Sequence, residues 1–364
     1  MASSQHGYVG DLITGPPPTS MAYNRLGNSG LKVSKVILGA MSYGSKEWQE
    51  WVLEEAEALP LLEHAYNVGI NTWDTSDLYS NGVSEMIIGK ALLKYKFPRE
   101  GVVIMTKCRF ATSEPDQPQL NVFTATVNDG RLVNRSGLSR KHIFDAVQAS
   151  MRRLGTYIDV LQIQRIDRDV PREEIMRALN DVIEMGWVRY IGASSAKMPA
   201  WEFQSLQNVA KAHGWHQFVS MQNYYNLLYR EEEREMIPYC KDTGVGLVPW
   251  SPNARGVLAR PWNDVDSNTS VRSLHDKTLT RLYDRDNIND KAIVGAVEEL
   301  AKQKNLPMAV IATAWCMKKG VNPIVGLNSK GRIDEAVLAS KVDLTDEDVA
   351  KLEEAYQPKA VTGY

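Results

Sequence analysis

Asp74 and Tyr79 share the stretch WDTSDLY, Lys107 stands near the end of VVIMTKC, and Gln164 ends IDVLQIQ. Each follows or closes an apolar run. If those runs meet, a carboxylate, a phenol, an ammonium and an amide meet with them. A lysine beside a tyrosine favours the phenolate and lowers the phenol pKa, and a carboxylate beside the lysine keeps it charged. The phenol can then give or take a proton nearer neutral pH. That suits reduction of a carbonyl, where the phenol protonates oxygen as hydride reaches carbon. Singly, each residue also fits a structural role: Asp74 as a turn cap, Lys107 as a solvated edge charge, Tyr79 as a half-buried aromatic. The chemistry depends on elements that bring them to one place.

Those elements are legible from residue 31 onward. Strand-like runs occur at 33–39, 70–76, 102–108, 158–164, 188–194, 218–224, 245–251 and 322–327. Helical periodicities separate them, as in SEMIIGKALLKY, SRKHIFDAVQASMRRLG and KAIVGAVEELAKQKN, and several end in Gly, a usual helix stop. Strands alternating with helices pair in parallel through crossovers. Eight such units in a chain of 364 residues predict a closed (β/α)8 TIM barrel, which typically takes about 250 residues plus insertions. An open doubly wound sheet would carry a Gly-rich phosphate loop after its first strand. The nearest string, GVGLVP at 244–249, lies late in the chain and runs into a strand and a proline. Long segments at 110–137 and 253–290 follow strands three and seven, on the face where barrel active sites form. The Gly-, Pro- and Ser-rich start predicts a flexible extension over 1–22, and 23–364 a single barrel domain.

Composition removes other classes. A formal net charge of −2 gives no electrostatic reason for a nucleic-acid or membrane-surface partner. No apolar run reaches the ~20 residues of a membrane helix. The start has no signal-peptide pattern, which predicts a cytoplasmic protein. Cys108, Cys240 and Cys316 are odd in number and far apart, as expected for free thiols in a reducing compartment. The histidines of HGWH, His213 and His216, have no companion ligands, so a polar helix end is expected there and no metal. EEERE (231–235) reads as a solvated helix start, EDVAKLEEAY (347–356) as a helix laid on the barrel; neither demands a partner chain, and the oligomeric state stays open.

Polar residues recur at the other strand ends: Ser194 and Ser195, Gln222 and Asn223, Trp250 and Ser251. Aromatic and apolar residues cluster by sequence near the same mouth: Met41, Tyr43, Trp48, Trp51, Trp73, Tyr224, Tyr225 and Trp262. Of these, Tyr43, Trp73 and Tyr225 are the candidate substrate contacts. They predict a large aromatic-lined pocket for an aromatic or bulky apolar aldehyde or ketone.

The strings RLGNSGLKVSKVILGAMSYG, GINTWDTSDLYSNGVSEMIIGKAL, VVIMTKC, SRKHIFDAVQASMRRLGTYIDVLQI, GWVRYIGASS, PWSPNARGVL and IVGLNSKGRIDEAV span residues 23 to about 356. In order and spacing they resemble the aldo-keto reductases, in particular aryl-alcohol dehydrogenase-like and fungal secondary-metabolism members. The resemblance implies a barrel that binds NADP(H) extended across its mouth. It makes Tyr79 the general acid, Lys107 its partner and Asp74 the anchor of the lysine. It puts Ser194, Ser195 and Gln222 at the nicotinamide carboxamide, although Asn is commoner where Ser195 stands, and stacks Trp250 on the ring. Ala40 and Met41 join that cofactor set. Ser251, Pro252, Asn253, Arg255 and Arg260 match the pyrophosphate segment, with Asn253 replacing a common Leu. Gly326, Asn328, Arg332 and Glu335 match the adenosine end. Arg332, helped by Lys330, favours NADP over NAD, because a guanidinium fork suits a phosphate dianion.

Gln164 departs from the resemblance, which implies a histidine there that donates to the substrate carbonyl. Three readings stand open. Glutamine serves as a neutral donor through its amide; or the substitution, natural or introduced, blunts a reductase; or the site has moved to double-bond reduction, dehydration, isomerisation or low-turnover cofactor sensing. His275, in the segment after strand seven, is the one other histidine considered as a stand-in.

Overall fold

The computed structural model describes residues 21–113, 120, 130, 132–195, 197–264 and 286–362. His275 and most of the two long segments lie outside the described residues, as does the extension before Met21. Met21 itself is already buried in the main core.

Ten strands are present among the described residues: β1 (Tyr23–Arg25), β2 (Lys32–Ser34), β3 (Ile37–Gly39), β4 (Thr72–Asp74), β5 (Val103–Cys108), β6 (Ile158–Gln164), β7 (Val188–Ser194), β8 (Phe218–Gln222), β9 (Gly246–Leu247) and β10 (Ile324–Gly326). The last eight form one parallel sheet in the order β10-β3-β4-β5-β6-β7-β8-β9. Past β9 the chain keeps pairing: Asn322 N donates to Leu247 O (2.9 Å) and Ile324 N to Pro249 O (2.8 Å). Trp250 bridges Tyr224 on one side and Ile324 on the other. These bonds join the two ends of the sheet, so the (β/α)8 barrel expected from the strand–helix rhythm is present.

Strand alternation sorts side chains between two cores. Val103, Met105 and Val160 point inward and pack with Ile37, Val248 and Ile324. Ile104, Cys108, Leu161 and Ile163 point outward into the larger core under the helices. With a side-chain period of two, Lys107 falls on the inward face with Val103 and Met105, and Gln162 and Gln164 fall there with Val160. Three helices, Arg140–Leu154, Ala200–His213 and Met236–Thr243, stop at left-handed glycines, Gly155, Gly214 and Gly244, as the sequence predicts. All three cysteines are free and buried.

The run 33–39 is not one strand. It divides into β2 and β3, and β2 pairs antiparallel with β1. This hairpin closes the end of the barrel opposite the strand C-termini. Leu26 and Val33 enter the inner core, and Asn28 N donates to Gly244 O (2.7 Å). EEERE is also not a solvated helix start. It forms a short 3-10 turn, Glu231–Glu233, with Glu231 and Glu232 buried. Glu231 accepts from Tyr356 (2.7 Å) and the Lys359 amide (2.7 Å) and so ties down the C-terminal segment; burial pushes the Glu232 carboxyl up to about 8. The last helix, Asp346–Glu353, packs on helix Ile288–Lys304. His213 stacks on Trp215 and His216 lies 2.9 Å from Glu184, so HGWH is used in packing and a surface ion pair.

The hairpin depends on Gly27. Its φ is +57°, and a Cβ there would lie 2.3 Å from Gly244 O and 2.5 Å from Gly246 N, both backbone atoms. Gly27→Ala is therefore expected to lower stability by about 2 kcal/mol or more, seen as a lower denaturation midpoint at an unchanged denaturant slope.

Candidate active site

A cavity of about 960 Å³ occupies the C-terminal mouth of the barrel, at the upper end of the size range for ligand pockets. At its floor Lys107 is almost fully buried, with Nζ 2.6 Å from Asp74 Oδ2, 2.8 Å from Thr75 O and 3.5 Å from the Tyr79 hydroxyl. A buried ammonium needs its protons accepted and its charge countered, and these contacts do both. The other oxygen of Asp74 accepts from Gln162 Nε2 (3.0 Å) and Gln222 Nε2 (2.9 Å). Gln222 also donates to Gln162 Oε1 (3.1 Å). Gln222 lines the cavity, but its amide nitrogen donates downward, to the Asp74 carboxylate and the Gln162 amide oxygen. Gln162 was not among the sequence candidates, although its inward parity with Gln164 was a readable signal.

Tyr79 reaches this floor from a strained turn. Ser80 and Asn81 have φ of +51°, the left-handed region that side chains rarely adopt. Packing holds the turn in place. Thr75 donates to Ser84 (2.9 Å), Ser84 to Ala40 O (2.9 Å), and Glu85 is paired to Arg153 (2.6 Å) and accepts from Thr106 (2.6 Å). Ser80 Oγ accepts from the Ser45 amide (3.1 Å), and a Cβ on Gly44 would fall 2.0 Å from that oxygen. The bond pins the loop that carries Trp48 and Trp51.

The electrostatics differ from the sequence expectation at Tyr79. Burial pushes the phenol up, the Lys107 charge pulls it down, Asp74 pushes it up again, and the balance lies above the ordinary value. For Lys107, burial pulls the ammonium down, but Asp74 and Tyr79 more than offset this and the balance is upward. The phenol thus holds its proton through neutral pH, with a cation in place to stabilise the phenolate once that proton is given up.

Asp74, Tyr79 and Gln164 are on the cavity wall; Lys107 lies behind them. Ser194, Ser195 and Gln222 share one side of the floor. Trp250 lines the cavity and stacks on Tyr224 (4.4 Å), which stacks on Tyr229 (4.6 Å). Ser251, Pro252, Asn253, Arg255 and Arg260 follow along the wall. This stretch holds left-handed φ values at Ser251 (+58°), Ala254 (+48°), Arg255 (+55°) and Gly256 (+101°). Gly326, Asn328, Arg332 and Glu335 form the far end, beside the N-terminus of helix Lys330–Ala339. Arg332 Nη1 is 3.6 Å from Glu335 Oε2, a buried oxygen with no hydrogen-bond partner among the described residues.

Other candidates fall elsewhere. Met41 lines the cavity, but Ala40 is buried behind it and its carbonyl is bonded to Ser84. Tyr43, Trp73 and Tyr225 are not on the wall. Tyr43 donates to Leu327 O, Trp73 Nε1 donates to Ile70 O (2.9 Å) and the ring packs edge-on to Phe97, and Tyr225 donates to Glu233 while its ring meets Trp315. Trp73 precedes the inward Asp74, so the two-residue period sends it to the helix side. The aromatic wall consists of Trp48, Trp51, Tyr79, Phe110 and Trp250. Phe110 and the cavity residue Arg165, whose guanidinium sits 5.1 Å from the Phe110 ring centre, were not anticipated.

Comparison with known proteins shows the family. The chain matches the Aldo/keto reductase family over residues 35–357. It is 60% identical over 343 residues to versiconal hemiacetal acetate reductase of Aspergillus parasiticus, covering 94% of this chain and 98% of that one. It is 52% identical to a Schizosaccharomyces pombe protein provisionally named an aryl-alcohol dehydrogenase, over 94% of this chain and 97% of that one. It is 47% identical to an aldo-keto reductase of Alternaria alternata, over 97% and 96%. The chain belongs to the aldo/keto reductase family and is an oxidoreductase. No described helix is long and apolar enough to cross a membrane.

Two outcomes follow from the buried floor. In ultraviolet difference titration, the signal that disappears in Tyr79→Phe is expected to titrate above the ordinary tyrosine range of about 10. Lys107→Met leaves the Asp74 charge buried and uncountered and is expected to lower stability by about 3 kcal/mol or more, with part recovered in the double variant Lys107→Met, Asp74→Leu; denaturant midpoints read both.

Proposed function

We propose that the protein reduces the carbonyl of a bulky, aromatic aldehyde or ketone, using NADPH and a proton from Tyr79. The observation that carries this reading is the line Asp74–Lys107–Tyr79 at the floor of one cavity, with Trp250 and the arginines on its walls. When bound, the nicotinamide supplies the hydride. The rest falls to side chains. Tyr79 protonates the carbonyl oxygen, Lys107 stabilises the phenolate left behind, and Asp74 keeps Lys107 charged and aimed. Gln164, on the same wall, serves as a neutral N–H donor to that oxygen.

The donor set fits an extended dinucleotide. Ser194 and Ser195 offer hydroxyls to a carboxamide, and Trp250 offers a ring made rigid by Tyr224. Arg255 and Arg260 offer cations to a pyrophosphate. At the far end Arg332, half-exposed and only loosely paired, and the helix start beneath it suit a 2′-phosphate. Trp48, Trp51 and Phe110 leave an apolar wall for the substrate. The relative from Aspergillus parasiticus is named for a hemiacetal acetate, and a hemiacetal is a masked carbonyl. Fungal relatives support a place in secondary metabolism, and the three free thiols support a cytoplasmic setting. A second reading follows from Gln164, which cannot carry a proton as an imidazolium does: the same cavity and cofactor could serve a double-bond reduction, dehydration or isomerisation, or low-turnover cofactor sensing.

The test follows NADPH oxidation with para-nitrobenzaldehyde and identifies the product. The primary alcohol, formed by the protein and lost in Tyr79→Phe by about 100-fold or more, is the expected result. Tight NADPH binding with no alcohol formed would move the weight to the second reading. Arg332→Ala is expected to raise the Kd for NADPH by about 10-fold or more and leave that for NADH nearly unchanged; equal losses for both would remove the 2′-phosphate assignment.

A further inference from the structure

An amide donor is useful only if it presents the correct edge. The carbonyl end of Gln164, turned to a substrate carbonyl, would repel it. Ser76 addresses this. It lies fully buried in the stretch that leads from β4 to Tyr79. Its Oγ accepts from the Leu78 amide (3.1 Å) and lies 2.8 Å from Gln164 Oε1 and 3.2 Å from Asp77 Oδ1. A hydroxyl has one proton to give, and the shorter contact is to Gln164.

The competing acceptor is weakened by its surroundings. Asp77 is buried against helix Val83–Lys94, where it faces Glu85, with Arg153 beyond on helix Arg140–Leu154 and the Cys108 thiol on β5. Burial first, then the Glu85 charge, push its carboxyl up to about 8, against the pull of Arg153 and of the polar Ser76 and Leu78 groups beside it. A neutral carboxyl competes poorly for the serine proton. Gln164 is held from its other side as well. It is the last residue of β6 in register with β7, opposite Ser194, and the next residue, Arg165, has φ of +105°. That conformation is strained for any residue with a side chain, and it turns the chain sharply out of the strand. The amide oxygen is occupied, and Nε2 has no partner among the described residues.

We propose that Ser76 is a positioning residue for carbonyl reduction: it holds the amide oxygen of Gln164, so that the amide N–H groups face the cavity as the neutral donor to the substrate carbonyl. This rests on the carbonyl-reductase reading above. A donor fixed before charge develops on the oxygen stabilises the transition state more than a freely rotating one, because no reorganisation is needed at the moment of reaction.

The test is a double-mutant cycle of Ser76→Ala and Gln164→Ala with two readouts. One is kcat/KM for para-nitrobenzaldehyde with NADPH. The other is the Kd of para-nitrobenzamide, an unreactive carbonyl, for the NADP-loaded protein. Ser76→Ala is expected to lower kcat/KM by about 10-fold, chiefly in kcat, and by less than about 2-fold when Gln164 is already Ala. Amide affinity should follow the same non-additive pattern. Ser76→Cys, which keeps the shape and a weak donor, should fall between Ser and Ala, and it runs the cycle if Ser76→Ala does not fold. Equal losses in both backgrounds, or no loss in the first, would overturn the proposal. A protein that reduces no aldehyde but binds the amide non-additively would sink the reductase reading and keep the positioning role. Additive binding losses would sink the positioning role alone.

Discussion

A charged lysine at the centre of a barrel is the constraint around which this molecule is built. Lys107 is buried, and so is the carboxylate that counters it. Neither charge could stay in place without the other, and the pair could not stay without its hydrogen bonds. Gln162 and Gln222 exist on this view as amides that saturate the second oxygen of Asp74. Three adjacent strands, β4, β5 and β6, and β8 beyond β7 contribute one polar group each to this network inside the barrel. The strand register has to be right for all of them, because a slip of one residue would send each to the helix side.

The network needs a dry interior below and an open mouth above. The two ends of the barrel are treated differently for that reason. Below, the β1–β2 hairpin closes the end with Leu26 and Val33 over the inner core. Above, the chain accepts backbone strain. Left-handed residues occur at Ser80 and Asn81 after Tyr79, at Arg165 after Gln164, and at Ser251, Ala254, Arg255 and Gly256 after Trp250. Each stretch begins directly after a side chain of the cavity wall. Strain of this kind persists only where surrounding packing over-determines it, and the Ser84, Ser80 and Ser76 hydroxyls are part of that packing.

Much of this was legible in the residues. Period-two alternation in β5 and β6 is enough to put Lys107 and Gln164 on one face, and strand–helix alternation is enough for the barrel. Structure and sequence expectation part where strand parity opposes proximity or does not reach. Trp73 neighbours Asp74, so if one points into the mouth the other cannot, and the aromatic belongs to the outer core. Tyr225 lies beyond the end of β8, where no period operates, and its hydroxyl was claimed by Glu233. EEERE reads as a solvated charge run, yet its Glu231 is buried and bonded to Tyr356 and the Lys359 amide, partners more than a hundred residues away.

The sequence by itself determined the fold and the chemical types at the strand ends. These follow from short-range periodicity and from the rule that parallel strands need crossovers. Only the tertiary structure decided the direction of the Tyr79 balance, because burial and two opposed charges act on it at once and their sum depends on distances of a few ångströms. It also decided which aromatics face the cavity and which edge of Gln164 is occupied. Both depend on contacts between residues far apart in the chain, such as Ser76 with Gln164, and no local pattern encodes those.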